Sequence, residues 1–221
     1  SRIEVLTNQR LEDRCSLRKN LGYAIPKRIY ALLDIIAFFQ NKQRQINPEY
    51  NLNKIFSLLV FSRFLFPSSI KKAYEKKDIF FDSFSFSLDD VYRSLSWFAK
   101  YSNQLQAHVY NKVKELVPID SQIGYYDVTN FYFEIPYNDE DEYDKEGNLL
   151  KKGTRKKGPS KEHRKTPIIQ MGLLMDANGI PMAVNTFPGN ESEKTSILPA
   201  IRRLKKDYGM ERVIAVADRG L

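Results

Sequence analysis

Ile123-Gly-Tyr-Tyr-Asp-Val-Thr-Asn-Phe-Tyr-Phe-Glu134 is the stretch on which the reading of this chain turns. Tyr, Val, Thr, Ile and Phe dominate it, and these residues suit the pleated, half-buried surface of a β-strand. Alternate residues of a strand share a face. Asp127 is therefore grouped with Tyr125, Thr129, Phe131 and Phe133, and Val128, Asn130, Tyr132 and Glu134 point the other way. A lone carboxylate among aromatic side chains is costly to bury unless something compensates it. A bound cation is one compensation, and a hydrogen-bonded structural Asp is the other.

A second stretch, Arg212-Val-Ile-Ala-Val-Ala-Asp-Arg-Gly-Leu221, is a short apolar run that ends in Asp218. Runs of this kind read as strands buried on both faces, as in a parallel sheet. The carboxylate falls at the carboxyl end of the strand, where open α/β sheets place their ligands. Two acids on two core strands can hold a pair of divalent metals about 3.5–4 Å apart, the arrangement that serves phosphodiester chemistry. Mg²⁺ suits such a site because it accepts a few carboxylates and keeps its waters and substrate phosphates; Mn²⁺ is the alternative.

Several further segments fall in a characteristic order. Asp127-Val-Thr-Asn-Phe-Tyr-Phe-Glu134 is followed by Gly158-Pro-Ser-Lys-Glu-His-Arg164 and by Met171-Gly-Leu-Leu-Met-Asp-Ala-Asn-Gly-Ile-Pro181. Pro188-Gly-Asn-Glu-Ser-Glu193 and Val216-Ala-Asp-Arg-Gly-Leu221 complete the series. Together they resemble a bacterial insertion-sequence transposase of the DDE type, in the group named after insertion sequence four, from about residue 120 onward. The resemblance implies a ribonuclease-H-like catalytic fold, with the first catalytic Asp on the first strand and the second at the end of the fourth. By that match Asp127 and Asp218 are the expected catalytic and metal-holding acids. The resemblance implies DNA, as element ends and target, and a homo-oligomer as partners, with no membrane or small-molecule substrate.

The family's third acid is a Glu on a later helix, and this chain stops three residues after Asp218 and opens at Ser1 without Met. The expectation is a fragment, or a reading frame broken at both ends, that does not cut DNA. Glu134 is on the wrong strand face to substitute, and Glu191 and Glu193 read as solvated or first-turn acids ahead of a helix. Two other readings stand beside the enzyme: a non-catalytic remnant that binds DNA or full-length transposase, and another ribonuclease-H-like nuclease. The Pro188–Glu193 match argues against the latter.

The formal charge of +8 is unevenly spread. Residues 1–118 hold 19 Lys+Arg against 11 Asp+Glu, and residues 119–221 hold 16 of each, so all the excess is in the first part. A basic region attached to a neutral metal-carboxylate region suits a nucleic-acid enzyme, because phosphate contacts supply much of the affinity. A single cysteine, Cys15, excludes a disulfide framework and a Cys-rich zinc site and fits a cytoplasmic protein. No signal peptide is visible, and the longest apolar run, Ile55 to Phe66, is too short to span a bilayer.

The expected fold class is α/β: an all-helical basic region over 1–118, then a partial ribonuclease-H-like mixed sheet over 119–221. Apolar residues at 29, 32, 33, 36 and 39 predict one helix over 25–39. Leu52 to Phe66 predicts a second, closed by Pro67. Ser87-Leu-Asp-Asp90 predicts the N-cap of a third running through Phe98, and a fourth covers roughly Gln104 to Leu116. Phe80 to Phe86 alternates like a strand or packs as a loop with its aromatics inward. Arg63 with Lys71, Lys72, Lys76 and Lys77 forms a basic cluster, either a solvated helix face or a DNA backbone contact.

Residues 137–165 are expected to be a long, mobile surface loop. Its acidic block, 138–147, is followed by a basic block from which Arg155, Lys156, Lys157, Lys161, Arg164 and Lys165 are the expected DNA contacts. Neutralisation of the bases by the acids is the alternative reading; His163 reads as part of the polar arm rather than a metal ligand. Asp176-Ala-Asn-Gly179 predicts a hairpin turn between strands 167–175 and 180–187. Residues 196–208 predict an amphipathic helix.

Overall fold

A computed structural model describes residues 18–46, 48–119, 123–158, 165–192, 198–199, 201–202, 206 and 214–217, with backbone only at 123 and 214–217. Helices fill the first half and a mixed β-sheet the second. The chain groups into two compact units, within Ser1–Lys100 and within Tyr101–Leu221. Among the described residues no helix is long and apolar enough to cross a membrane.

The first unit opens with a 3₁₀ turn, Leu21–Tyr23, and contains helices α1 (Ala24–Leu32), α2 (Ile35–Ile46), α3 (Leu52–Leu65) and α4 (Ile70–Glu75). It also holds the start of α5 (Leu88–Leu116). The single helix predicted over 25–39 is broken in two. Asp34 adopts a positive φ of 51°, and the Asp34 amide closes back on the Ala31 carbonyl, so the chain turns between α1 and α2. The break lets Pro26 and Tyr30 of α1 and Ile35, Phe38 and Phe39 of α2 face the core, leaving Ile25, Ile29 and Leu32 exposed.

The core of this unit is aromatic. Phe39, Phe56 and Phe98 meet with ring centroids 4.7–5.5 Å apart. Phe80, Phe84 and Phe86 turn inward from a segment without strand structure, which selects the loop reading of 80–86. Helix α3 is closed as predicted before Pro67 and is capped by Asn51, whose side chain accepts from the Lys54 amide. Helix α5 opens with a reciprocal capping box: the Asp90 amide donates to Ser87 Oγ, and the Ser87 amide donates to Asp90 Oδ2. The two helices predicted here are one helix of 29 residues. No Gly or Pro interrupts residues 88–116, so nothing breaks the ladder between them.

The second unit is built on four strands: β1 (Ile123–Tyr132), β4 (Ile168–Asp176), β5 (Pro181–Pro188) and β6 (Ile214–Ala217), in the spatial order β5-β4-β1-β6. Strands β1, β4 and β5 form an antiparallel meander, and β6 returns parallel to β1. The predicted turn is present, with the buried Asp176 carboxylate accepting from the Asn178 and Ile180 amides. One sheet face is the core: Tyr126 and Val128 of β1, Leu174 of β4, and Met182 and Ala183 of β5 pack with Tyr110 of α5. The Gln106 side chain of the same helix accepts from the Val184 amide at 2.8 Å. Gly172 lies under the Tyr126 ring so closely that a Cβ there would come within 2.2 Å of the phenol oxygen. Residues 198–199, 201–202 and 206 are helical.

Candidate functional site

Asp127 sits at the middle of β1, opposite Leu173 of β4. It shares its face with Tyr125, Thr129 and Phe131, and all four are exposed. Across the pairing, Ile169, Met171, Leu173 and Met175 present the same half-buried face. The parity predicted for this strand is therefore present, but the face bearing Asp127 is the open one and the opposite face is the core. The carboxylate keeps contact with water, so it needs no cation or hydrogen bond to offset burial.

Next to it, β1 and β6 run parallel, with Tyr126 beside Ala217. Asp127 and Asp218 are the residues that follow these two in sequence. Asp218 itself lies outside the described residues, as do Lys161, His163 and Arg164. Among the described residues no group of three His, Cys, Asp or Glu side chains is gathered. Asp127 suits one corner of a hard-metal site: it offers carboxylate oxygens on an accessible sheet face, where a metal that keeps its waters can also meet a phosphate.

Residues 137–158, expected as a long surface loop, include a short hairpin. Its strands are β2 (Glu142–Tyr143) and β3 (Leu149–Lys151), and several of the acids and bases around it are paired. Asp139 takes the Arg155 Nε at 2.7 Å and the Arg155 amide at 2.9 Å. These contacts, led by the guanidinium hydrogen bond, hold the Asp139 carboxyl down at about 2. Asp141 takes the Gly153 amide and the Lys156 ammonium, each at 2.8 Å. Glu142 pairs with Lys151 at 2.9 Å, and Glu191, just after β5, pairs with Lys152. Of the six predicted DNA contacts, Arg155 and Lys156 are thus engaged by carboxylates, and Lys157 and Lys165 are exposed.

The arm is also sewn to the main sheet. Lys156 and Ile168 exchange backbone hydrogen bonds at 2.9 and 3.2 Å. The Gly189 amide donates to the Thr154 carbonyl, and Gly158 passes so close to Gly189 that a Cβ on it would meet the Gly189 carbonyl oxygen at 1.9 Å. Two glycines from separate motifs, 158–164 and 188–193, are therefore one packing contact.

Solved structures of the Mos1 transposase are similar to this chain. The Mos1 transposase paired-end complex with left transposon end is 13% identical, with a TM-score of 0.26, over 75% of this chain and 51% of that one. The Mos1 mariner paired-end complex with Mn is 12% identical with a TM-score of 0.24, over 73% of this chain and 50% of that one. The chain spans about half the length of these proteins. No protein-family model matches it, nor does any curated protein.

In the first unit the basic cluster is solvent-facing. Arg63, Lys71, Lys72 and Lys76 are exposed, with Lys76 over the Phe66 ring at 5.1 Å and Lys77 over Tyr74 at 4.2 Å. Sequence reading did not single out Asp139 and Asp141 as partners of particular bases. Their alternation, Asp139-Glu-Asp-Glu142, places Asp139 and Asp141 on one side of an extended chain, which is the available signal. Gln170 was also passed over. It is buried on the core side of β4, and its amide donates to the Glu191 carbonyl at 3.0 Å, tying the post-β5 turn to the sheet.

Proposed function

We propose that the chain carries a DNA-binding region and the first two catalytic acids of a DDE transposase, of the group named after insertion sequence four. The observation that carries this reading is the sheet register. An antiparallel meander is followed by a strand parallel to its first member, with Tyr126 beside Ala217, and Asp127 and Asp218 follow those two residues in sequence. The reading rests on that register and the ordered motifs, not on the distant Mos1 likeness.

Asp127 and Asp218 would hold Mg²⁺ or Mn²⁺. A metal pair so held supplies activation of an attacking oxygen and stabilisation of a leaving oxygen at a phosphodiester. The chain's own part is positional. Asp127 presents its carboxylate on an open sheet face that a DNA strand can approach. The basic surplus of residues 1–118 supplies phosphate contacts. Neither Glu134 nor Glu191 is proposed as the third acid: Glu134 lies in a bend past the end of β1, and Glu191 follows β5. Residues 1–221 alone are therefore expected to bind metal and DNA without cutting.

Mn²⁺ binding followed by electron paramagnetic resonance, with a nicking assay on supercoiled plasmid, tests this. The expected result is Mn²⁺ binding that weakens in both Asp127→Ala and Asp218→Ala, and no nicking by any of the three proteins. Unchanged Mn²⁺ binding in both variants would contradict the site. Metal-dependent nicking that disappears in Asp127→Ala would show that two carboxylates suffice.

A further inference from the structure

The ion pairs of the 137–158 hairpin fall into two kinds. The inner pairs are anchored. Asp139 holds both the guanidinium and the amide of Arg155, and Asp141 holds the Gly153 amide as well as Lys156. Lys156 is further fixed to β4 through its backbone pairing with Ile168. The outer pairs are single contacts between long side chains. Lys151 and Glu142 are 71% and 61% exposed, and Lys152 and Glu191 are 46% and 30% exposed. Exposed pairs of this kind add little to stability, because water and salt screen them and both side chains lose rotamer freedom. A polyanion that releases condensed counterions competes well against them.

We propose that Lys151 and Lys152 form a phosphate-backbone contact surface for duplex DNA, on which Glu142 and Glu191 stand in for phosphates until DNA displaces them. This rests on the reading that the chain binds DNA. Arg155 and Lys156 are then positioning residues: held by Asp139 and Asp141, they keep the outer strand of the arm in place and do not themselves contact DNA. An open cleft of about 460 Å³, lined by Glu142, Lys151, Lys152 and Thr154 among others, lies beside the Glu142–Lys151 pair.

The test compares Glu142→Gln and Glu191→Gln with Glu140→Gln, an exposed acid on the same segment whose loss changes net charge equally. Affinity for a labelled duplex is read by fluorescence anisotropy, and retention on immobilised heparin is measured in parallel. Glu142→Gln and Glu191→Gln should each bind duplex about threefold more tightly than Glu140→Gln, the ratio that matches the strength of an exposed pair. Adding Lys151→Gln should erase the gain from Glu142→Gln. Equality of all three single variants on duplex and on heparin overturns the proposal. If none binds duplex while the Glu142 and Glu191 variants are retained longer on heparin, the DNA reading falls and the displacement of glutamate by polyanion stands.

Discussion

Gly172 shows how one missing Cβ positions the strand that carries Asp127. The Tyr126 ring lies across Gly172, so Gly172→Ala forces the ring or the strand to move. We expect a loss of about 1–3 kcal/mol, the usual cost of overpacking, read as a lower thermal midpoint; an unchanged midpoint would show that the ring yields freely. Asp139 makes a second prediction. Its folded-state value of about 2 lies below the ordinary carboxylate value, so its contribution is full above pH 4 or so and is lost as pH falls toward 2. Hydrogen exchange at the Arg155 amide should therefore accelerate relative to other arm amides over that interval, and Asp139→Asn should remove the dependence. At this scale the parity of β1 was legible, because a period of two is imposed by the backbone. Which face met the core was not, because Tyr125 and Phe131 are as apolar as the residues that are buried.

Elements whose signals are local were legible for the same reason. Asn178-Gly179 and the Asp176 side chain specify a turn from a few adjacent residues, and Pro67 stops α3. The break at Asp34 was hidden, since neither Gly nor Pro marks it and the apolar spacing of 25–39 continues through it. The hairpin within 137–158 was hidden too. Alternating charge reads as solvated chain until the partners are known, and the pairs Asp139–Arg155 and Asp141–Lys156 join residues 15 or 16 apart in sequence. The capping box at α5 was half legible from Ser87 and Asp90. Ser87→Ala should lower stability by about 1 kcal/mol, measured by urea unfolding under far-ultraviolet circular dichroism. No loss would mean that the Asp90 side-chain bond to the Ser87 amide is sufficient by itself.

For the molecule as a whole, the separation of charge is the property that bears on DNA. The surplus of positive charge in residues 1–118 and the internally paired arm together predict binding governed by phosphates rather than by base edges. With about four phosphate contacts, affinity for duplex should fall roughly a hundredfold between 50 and 200 mM salt; an affinity indifferent to salt would contradict this. Asp127 and Asp218 are proposed to share one metal site. Anomalous diffraction from crystals grown with Mn²⁺ tests it most directly. Mn²⁺ is expected at coordination distance, roughly 2 Å, from the carboxylates of both residues. Carboxyl groups more than about 10 Å apart, too far for a metal pair of roughly 4 Å spacing to join, would contradict it.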